Sequence, residues 1–272
     1  MTEQFDLSRY AAAVFDLDGT VWLSEQPMPG ALAFVDRCRE LGLTVTFATN
    51  ATAFSVPHLT GLLLECGLGR EGDAVVTGGS VVARTLASLG ITEVLAEVPP
   101  AMRAAITAEG ATVTTLEGVD VPAPWGDPAP HRALVLGASR AATFGAVERI
   151  GHLATLGHPL YVTSLDPGYP ALGRMEPGGG MLVAALHALY DGIDPIVLGK
   201  PSAEYAAVVR ECVRTDGPIV MFGDSQRADM GIAAHLGADG VLLSRTGRVG
   251  ADLTRPHYVA TGLDAEIRVH HD

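Results

Sequence analysis

The stretch that most limits the fold is residues 11–20, AAAVFDLDGT. An unbroken apolar run that delivers Asp16 and Asp18 and breaks at Gly19 suits a strand buried on both faces of a parallel sheet and ending in a functional loop. In extended backbone, residues two apart share a side, so the Asp16 and Asp18 carboxyls face one small space. Like charges held that close need a divalent cation, a shared proton, or different protonation states with different tasks.

Along the chain, strand and helix signals alternate. Residues 31–41 place Leu32, Val35 and Leu41 among charged neighbours, an amphipathic helix stopped at Gly42. Residues 43–48, LTVTFA, form a second strand ending at Thr49-Asn50. A helix follows with Pro57 in its first turn, Leu59, Leu62, Leu63 and Cys66 on one face, and Gly67 closing it. Residues 74–77 make a third strand. Successive βα units of this kind build a doubly wound α/β sheet.

From about 84 to 194 the texture changes to more Thr, Pro and Ala, with an extended or turn-like loop at 121–130, VPAPWGDPAP. Strand signals at 131–136 and 159–163 accompany helical stretches there, enough for a separate α/β module inserted into the first. The sheet pattern resumes at 195–198 and runs into Gly199-Lys200-Pro201-Ser202, where Ser202 caps a helix carrying Tyr205, Val208 and Val209. Residues 218–222, PIVMF, are another fully apolar strand, ending in Gly223-Asp224-Ser225-Gln226-Arg227-Ala228-Asp229. A helix through Ile232 and Leu236 and strands at 241–243 and 258–261 complete the pattern.

At 272 residues the chain is long for one compact unit. A net charge of -13 without a basic stripe argues against nucleic acid as a partner. No apolar run approaches the ~18 residues that span a bilayer, and the N-terminal MTEQFDLSRY lacks a basic region followed by an apolar core, so no membrane association and a cytoplasmic setting are expected. Cys38, Cys66 and Cys212 lack the close spacing of a zinc site or redox dithiol, sit among helical-looking apolar residues and read as inert core thiols. Among 18 basic side chains there is a single lysine, Lys200. A compact ammonium on a flexible stem suits a phosphate or carboxylate in a tight pocket.

Four polar clusters, Asp16/Asp18, Thr49/Asn50, Lys200 and Asp224/Asp229, thus lie at the carboxyl ends of apparent parallel strands, which converge on one crevice in a doubly wound sheet. Several carboxylates with one lysine and a hydroxyl make a recipe for a hard cation and an oxyanion, and Mg²⁺ commonly bridges one or two carboxylates to a phosphate.

In order and in kind, the four clusters resemble the four motifs of the haloacid dehalogenase superfamily of phosphatases: DLDGT at 16–20, Thr49-Asn50, Lys200, and GDSQRAD at 223–229. VWLSEQPMPGA after the first motif, ATN at the second and GKPS at the third resemble more narrowly the NagD-like, 4-nitrophenylphosphatase-like branch. The resemblance implies a Rossmann-like core of residues 1–84 and 194–272 with an inserted α/β cap of residues 85–193. It implies Asp16 as the nucleophile that forms an aspartyl-phosphate, and Asp18 as the acid that protonates the leaving alcohol and later activates water. Asp16, Asp224 and the main-chain carbonyl of Asp18 would bind Mg²⁺, with Ser225 and Asp229 in support. Thr49, Asn50 and Lys200 would hold the phosphoryl oxygens.

Substrate choice falls to the cap. TSLDPGYP at 163–170 resembles the branch's cap loop, with Ser164 where Asn is customary and Tyr169 where some relatives present His. Asp166, Tyr169 and Arg174 are therefore the cap candidates for substrate contact. Gly178-Gly179-Gly180 lacks the strand, Lys and Ser/Thr of a phosphate loop. The expected activity is Mg²⁺-dependent hydrolysis of a small phosphorylated metabolite such as glycerol phosphate, phosphoglycolate, a nucleoside monophosphate or pyridoxal phosphate, with a homodimer left open. A phosphotransferase using the same intermediate is the nearest alternative. A phospho-accepting receiver module, from a different class, is far shorter and has no cap.

Overall fold

The computed structural model describes residues 5–116, 125–171, 173–246, 248–250 and 253–270. Two sheets organise them. The larger has seven strands in the spatial order Arg268–Val269, Tyr258–Ala260, Asp239–Leu243, Ile219–Gly223, Ala12–Phe15, Thr44–Thr49 and Ala74–Thr77. Every neighbouring pair is parallel except the antiparallel edge of Tyr258–Ala260 with Arg268–Val269.

Ala12–Phe15 is central and buried throughout, as its apolar run requires. The two-residue period sorts its side chains. Ala13 and Phe15 join one core with Val35, Phe47 and Phe222, whereas Ala12 and Val14 join another with Tyr205, Val209 and Ile232. On the first face Phe15 stacks on Phe222 at 4.9 Å between centroids, and Phe34 meets Phe222 edge-on at 5.1 Å.

Register does the rest. Phe15 pairs with Phe222 on one side and Phe47 on the other, and the Asp16 N–H donates to Phe222 O at 2.9 Å. Asp16, Gly223-Asp224 and Ala48-Thr49 therefore arrive at one level. The chain leaves Ala12–Phe15 toward Thr44–Thr49 and returns at Ile219–Gly223 on the opposite side, so strand order reverses there and a crevice opens beyond the carboxyl ends.

The second sheet has five parallel strands in the order Ile196–Val197, Leu160–Val162, Arg132–Leu136, Glu93–Glu97 and Thr112–Thr115. Helices Pro100–Ala108, Phe144–Thr155 and Gly179–Leu189 belong to this module and bury Met102, Ile106, Ile150 and Leu186 against its strands. Gly78–Ser88 leads from the first sheet into it, started by a capping box in which Thr77 and Ser80 bond each other's main-chain N–H.

Three sequence expectations shift. Residues 195–198 do not resume the large sheet: Ile196–Val197 pairs with Leu160–Val162 of the second one, and Leu198 N–H continues the ladder to Val162 O at 2.9 Å. A two-residue apolar strand signals burial without saying which sheet it joins. The helix Ala31–Glu40 buries Ala31, Val35 and Cys38 and leaves Leu32 exposed, so its inner stripe is one of smaller residues. Of the three cysteines, all free, only Cys38 is fully buried. In the loop expected at 121–130, residues 121–124 lie outside the described residues and 125–130 form neither helix nor strand. No helix among the described residues is long and apolar enough to cross a membrane.

Candidate active site

Asp16 follows directly from the central strand and is buried. Its Oδ1 accepts from Lys200 Nζ at 2.5 Å and its Oδ2 from the Thr20 hydroxyl at 3.2 Å. Gly19, with φ of +89°, turns the chain after Asp18 and donates its N–H to Trp22 O at 2.8 Å. Only glycine fits: a Cβ there would lie 2.2 Å from Asp224 Oδ2. The following hairpin, Trp22–Leu23 with Gln26–Pro27, turns at Ser24 and Glu25, both at positive φ, and brings Glu25 toward Asp18. Burial first, and then the Asp16 carboxylate, push the Asp18 carboxyl up to about 7.

Lys200 reaches the crevice from the edge of the second sheet. Its main chain is clamped by Asn50, whose Oδ1 accepts from Lys200 N at 2.8 Å and whose Nδ2 donates to Lys200 O at 3.3 Å. The ammonium, 3% exposed, donates to Asp16 Oδ1, to Asp229 Oδ1 at 2.6 Å and to Ala48 O at 3.0 Å. Burial pulls this ammonium's affinity for its proton down, but Asp16 and Asp229 outweigh that and hold it above the ordinary lysine range. All three of its donors are used, so gripping a phosphoryl oxygen requires exchanging one of them.

Asp229 begins the helix Asp229–Leu236 and is tied on both sides: its N–H donates to Ser225 O at 2.8 Å, and Ser225 N–H donates to its Oδ2 at 3.0 Å. Gly223 leaves the room, since a Cβ there would sit 2.2 Å from Asp229 Oδ2. Burial raises the Asp229 carboxyl against the pull of Lys200. Burial and then the Asp16 and Asp229 charges raise that of Asp224. One carboxylate oxygen from each of Asp16, Asp224 and Asp229 lies within 4.8 Å of the others. This oxygen-only donor set, short of positive charge by the upward push on Asp224, fits a hard divalent cation.

Of the expected phosphate-holding residues, Thr49 is buried with its Oγ1 accepting from Ala51 N at 3.1 Å, and the Asn50 side chain serves Lys200. Two supports escaped the sequence reading. Thr20 sits one turn beyond Asp16 within the DLDGT run itself. Tyr205, read only as an apolar helix position, is fully buried with its hydroxyl 2.9 Å from Thr49 O and 3.0 Å from Val76 O, bracing two strand ends.

The cap candidates separate. Asp166 lines a cavity of about 210 Å³ together with Ser164, Leu165, Val197, Lys200 and Arg227. Ser164 Oγ donates to Asp166 Oδ2 at 3.0 Å and accepts from Asp166 N at 2.9 Å. The glycine run explains itself here as close packing, because a Cβ on Gly180 would lie 2.1 Å from Leu165 O. Tyr169 and Arg174 are not among the cavity's lining residues. On the hairpin Gly168–Ala171 with Arg174–Pro177 both are bound by Glu176, at 3.1 Å from the Tyr169 hydroxyl and 2.6 Å from the Arg174 guanidinium, with Arg140 as a third partner.

Residues 13–112 match the model of the haloacid dehalogenase-like hydrolases. The D-glycerol 3-phosphate phosphatase of Mycobacterium tuberculosis is 29% identical over 190 residues, which cover 70% of this chain and 50% of that protein, so the chain spans half the length of this relative. Chronophin of Bos taurus is 27% identical over 247 residues, covering 87% of this chain and 81% of its own. Among solved structures, the 4-nitrophenylphosphatase of Thermotoga maritima matches with a TM-score of 0.77 at 23% identity, over 94% of this chain and 96% of that one. The glycerol phosphate phosphatase of Mycobacterium tuberculosis, solved in complex with magnesium, matches at 0.77 with 25% identity, over 96% and 78%. The chain thus has the fold of the haloacid dehalogenase-like hydrolases, inserted cap included, as the four motifs led one to expect.

Proposed function

We propose that this haloacid dehalogenase-like chain is a magnesium-dependent phosphatase that hydrolyses small phosphomonoesters through an aspartyl-phosphate on Asp16. The observation that carries the reading is one pair of carboxyls in one crevice with different surroundings: Asp16 accepts from the Lys200 ammonium at 2.5 Å, while Asp18, two residues on, is pushed up to about 7 by burial and by the Asp16 charge. Phosphatase names among the relatives and similar structures support it.

Asp16 attacks phosphorus as the bond to the leaving oxygen breaks, and Asp18 gives its proton to that oxygen. The Asp18 carboxylate then takes a proton from water, whose oxygen attacks the same phosphorus and releases phosphate, returning Asp16. Thr20 and Lys200 fix the nucleophile's orientation. Thr49, the Asn50 main-chain N–H and Lys200 receive the phosphoryl oxygens. Asp16, Asp224 and the Asp18 carbonyl would hold Mg²⁺, with Asp229 and Ser225 in support; the bound ion supplies the positive charge that lets an anionic nucleophile meet an anionic ester.

The cap, residues 85–193 together with the strand Ile196–Val197 that completes its sheet, closes this centre from water, and its Asp166 faces the leaving group. Substrates are small phosphorylated metabolites of the glycerol phosphate, phosphoglycolate, nucleoside monophosphate or pyridoxal phosphate kind. Three free thiols fit a reducing cytoplasm.

Incubation with 4-nitrophenyl phosphate tests the reading. Turnover is expected with Mg²⁺, is lost with a chelator, and is absent from Asp16→Asn while circular dichroism shows the fold preserved. Appreciable activity in that variant would refute Asp16 as the nucleophile, and transfer of phosphate mainly to an added alcohol would make the chain a phosphotransferase.

A further inference from the structure

Arg227 lies in the turn between the strand Ile219–Gly223 and the helix Asp229–Leu236, and both neighbours of that turn are pinned. Ser225 Oγ accepts from Ala228 N at 3.1 Å. The Gln226 amide donates to Gly250 O at 2.9 Å and to Thr254 O at 3.2 Å, while its Oε1 accepts from Gly250 N at 2.6 Å. The Arg227 main chain is thereby placed with little freedom, and its side chain lines the cavity that also holds Asp166 and Lys200.

Among the described residues the exposed Arg227 guanidinium has no ion pair and no hydrogen bond, in a chain whose net charge is -13. Arg39 engages Asp36, Asp73 and Leu68 O, and Arg132 engages Glu93, whereas Arg227, the arginine that lines this cavity, keeps its guanidinium uncommitted. Nor does Arg227 bridge to Asp16, Asp18, Asp224 or Asp229, so its charge is not committed to the carboxylate cluster although its side chain lines the same cavity as Lys200. Across the cavity Asp166 commits one carboxylate oxygen to Ser164. A volume of about 210 Å³ lies below the ~300–1,000 Å³ of ordinary ligand clefts and admits a leaving group of a few atoms.

We propose that Arg227 binds a second anionic group carried by the leaving group, a carboxylate or a further phosphate, and so selects small phosphomonoesters of acidic alcohols. A planar fork of donors on a rigid turn matches either anion in bidentate fashion, with Asp166 accepting from a hydroxyl of the same leaving group. This inference rests on the phosphatase reading and adds the substrate class to it.

The test compares kcat/KM for 2-phosphoglycolate, propane-1,3-diol bisphosphate, 2-hydroxyethyl phosphate and phosphoethanolamine, whose leaving groups bear a carboxylate, a phosphate, no charge and a cation. The wild-type chain is expected to favour one or both anionic substrates, and the carboxylate and phosphate arms show which anion is meant. Arg227→Gln lowers the ratio of anionic to neutral substrate about tenfold, through KM, as loss of a charge-assisted pair requires. Arg227→Lys keeps part of that ratio, and Arg227→Glu turns the preference toward phosphoethanolamine. A ratio that stays within about twofold in both Arg227→Gln and Arg227→Glu overturns the inference. If the wild-type chain turns over 4-nitrophenyl phosphate but shows no anion preference, this inference alone fails. If it turns over nothing with Mg²⁺, the phosphatase reading fails and takes the inference with it.

Discussion

Replacing Lys200 by Met leaves a side chain of similar length and removes the positive charge paired with the buried Asp16 and Asp229 carboxylates. Lys200 and Asp229 are 3% and 1% exposed at the side chain and Asp16 is 10% exposed, so solvent screens the pair little. Breaking a buried pair by deleting one partner costs ~3–5 kcal/mol. A second route agrees: two carboxylate charges within 4.8 Å of each other repel by about 3 kcal/mol at an effective dielectric of ~20. For a chain of this size the loss lowers the melting temperature by roughly 6–20 °C. The sign with pH follows from the carboxyls. Without the ammonium their folded affinities for protons rise further above the unfolded value, so the penalty is present at high pH and fades as pH falls and they protonate. Thermal unfolding followed by circular dichroism at pH 8 and pH 5.5, in chelator, is expected to show a variant-to-wild-type gap that narrows in acid. Added Mg²⁺ should recover more of the variant's stability than of the wild type's, and turnover should fall by ~10²–10³-fold. A stability loss under ~1 kcal/mol at pH 8, or a gap that widens in acid, would refute the view that Lys200 is there to neutralise Asp16 and Asp229.

Gly19→Ala forces a side chain into a positive-φ turn against the Asp224 carboxylate, so the Mg²⁺ concentration giving half-maximal activity should rise ~10-fold or more; an unaltered metal requirement would show that Asp224 is not a ligand. Gly199→Ala places a Cβ 1.7 Å from Thr163 O and 2.7 Å from Asn50 Oδ1, which should cost about 1–3 kcal/mol or more and displace Lys200, with phosphatase activity and melting temperature falling together. His158, 3% exposed, presents Nε2 to Gly126 O at 3.2 Å, and its Nδ1 has no partner among the described residues. Burial, chiefly, lowers its affinity for a second proton below the ordinary 6.5, so the unfolded chain protonates first and the wild type loses stability as pH falls through that value. Relative to His158→Gln, the wild type should therefore lose melting temperature between pH 7.5 and pH 5.5; a constant difference would show that the ring is not held neutral.

The parts of this site that could be read from the letters are those where local pattern and chemistry coincide. An unbroken apolar run ending in two aspartates had to be a central strand delivering charge to a sheet end, and Ala12–Phe15 is that strand. The strand at 74–77, bounded by turn residues, appears with the same bounds. Where a decision depends on a partner distant in sequence, pattern is silent. Ile196–Val197 is equally apolar whichever sheet it joins, and only its pairing with Leu160–Val162 makes Lys200 arrive from the cap side. Tyr169 and Arg174 resembled substrate contacts by position in a loop, yet Glu176, opposite Tyr169 across the hairpin and two residues beyond Arg174 on its own strand, binds both side chains. Asp229, read from the sequence as a supporting carboxylate of the fourth cluster, is the most buried carboxyl of the group because Gly223, Ser225 and Lys200 converge on it, and that burial is not legible in its helix-start position. The same physics ties these cases together. A buried charge is tolerated only where folding brings its counter-charge, and the counter-charge to Asp16 and Asp229 is a lysine 184 and 29 residues distant. An exposed arginine left without such a partner beside that cluster is then the group with charge to offer a ligand, which is why Arg227, invisible as a motif position, becomes informative only once the cavity is seen.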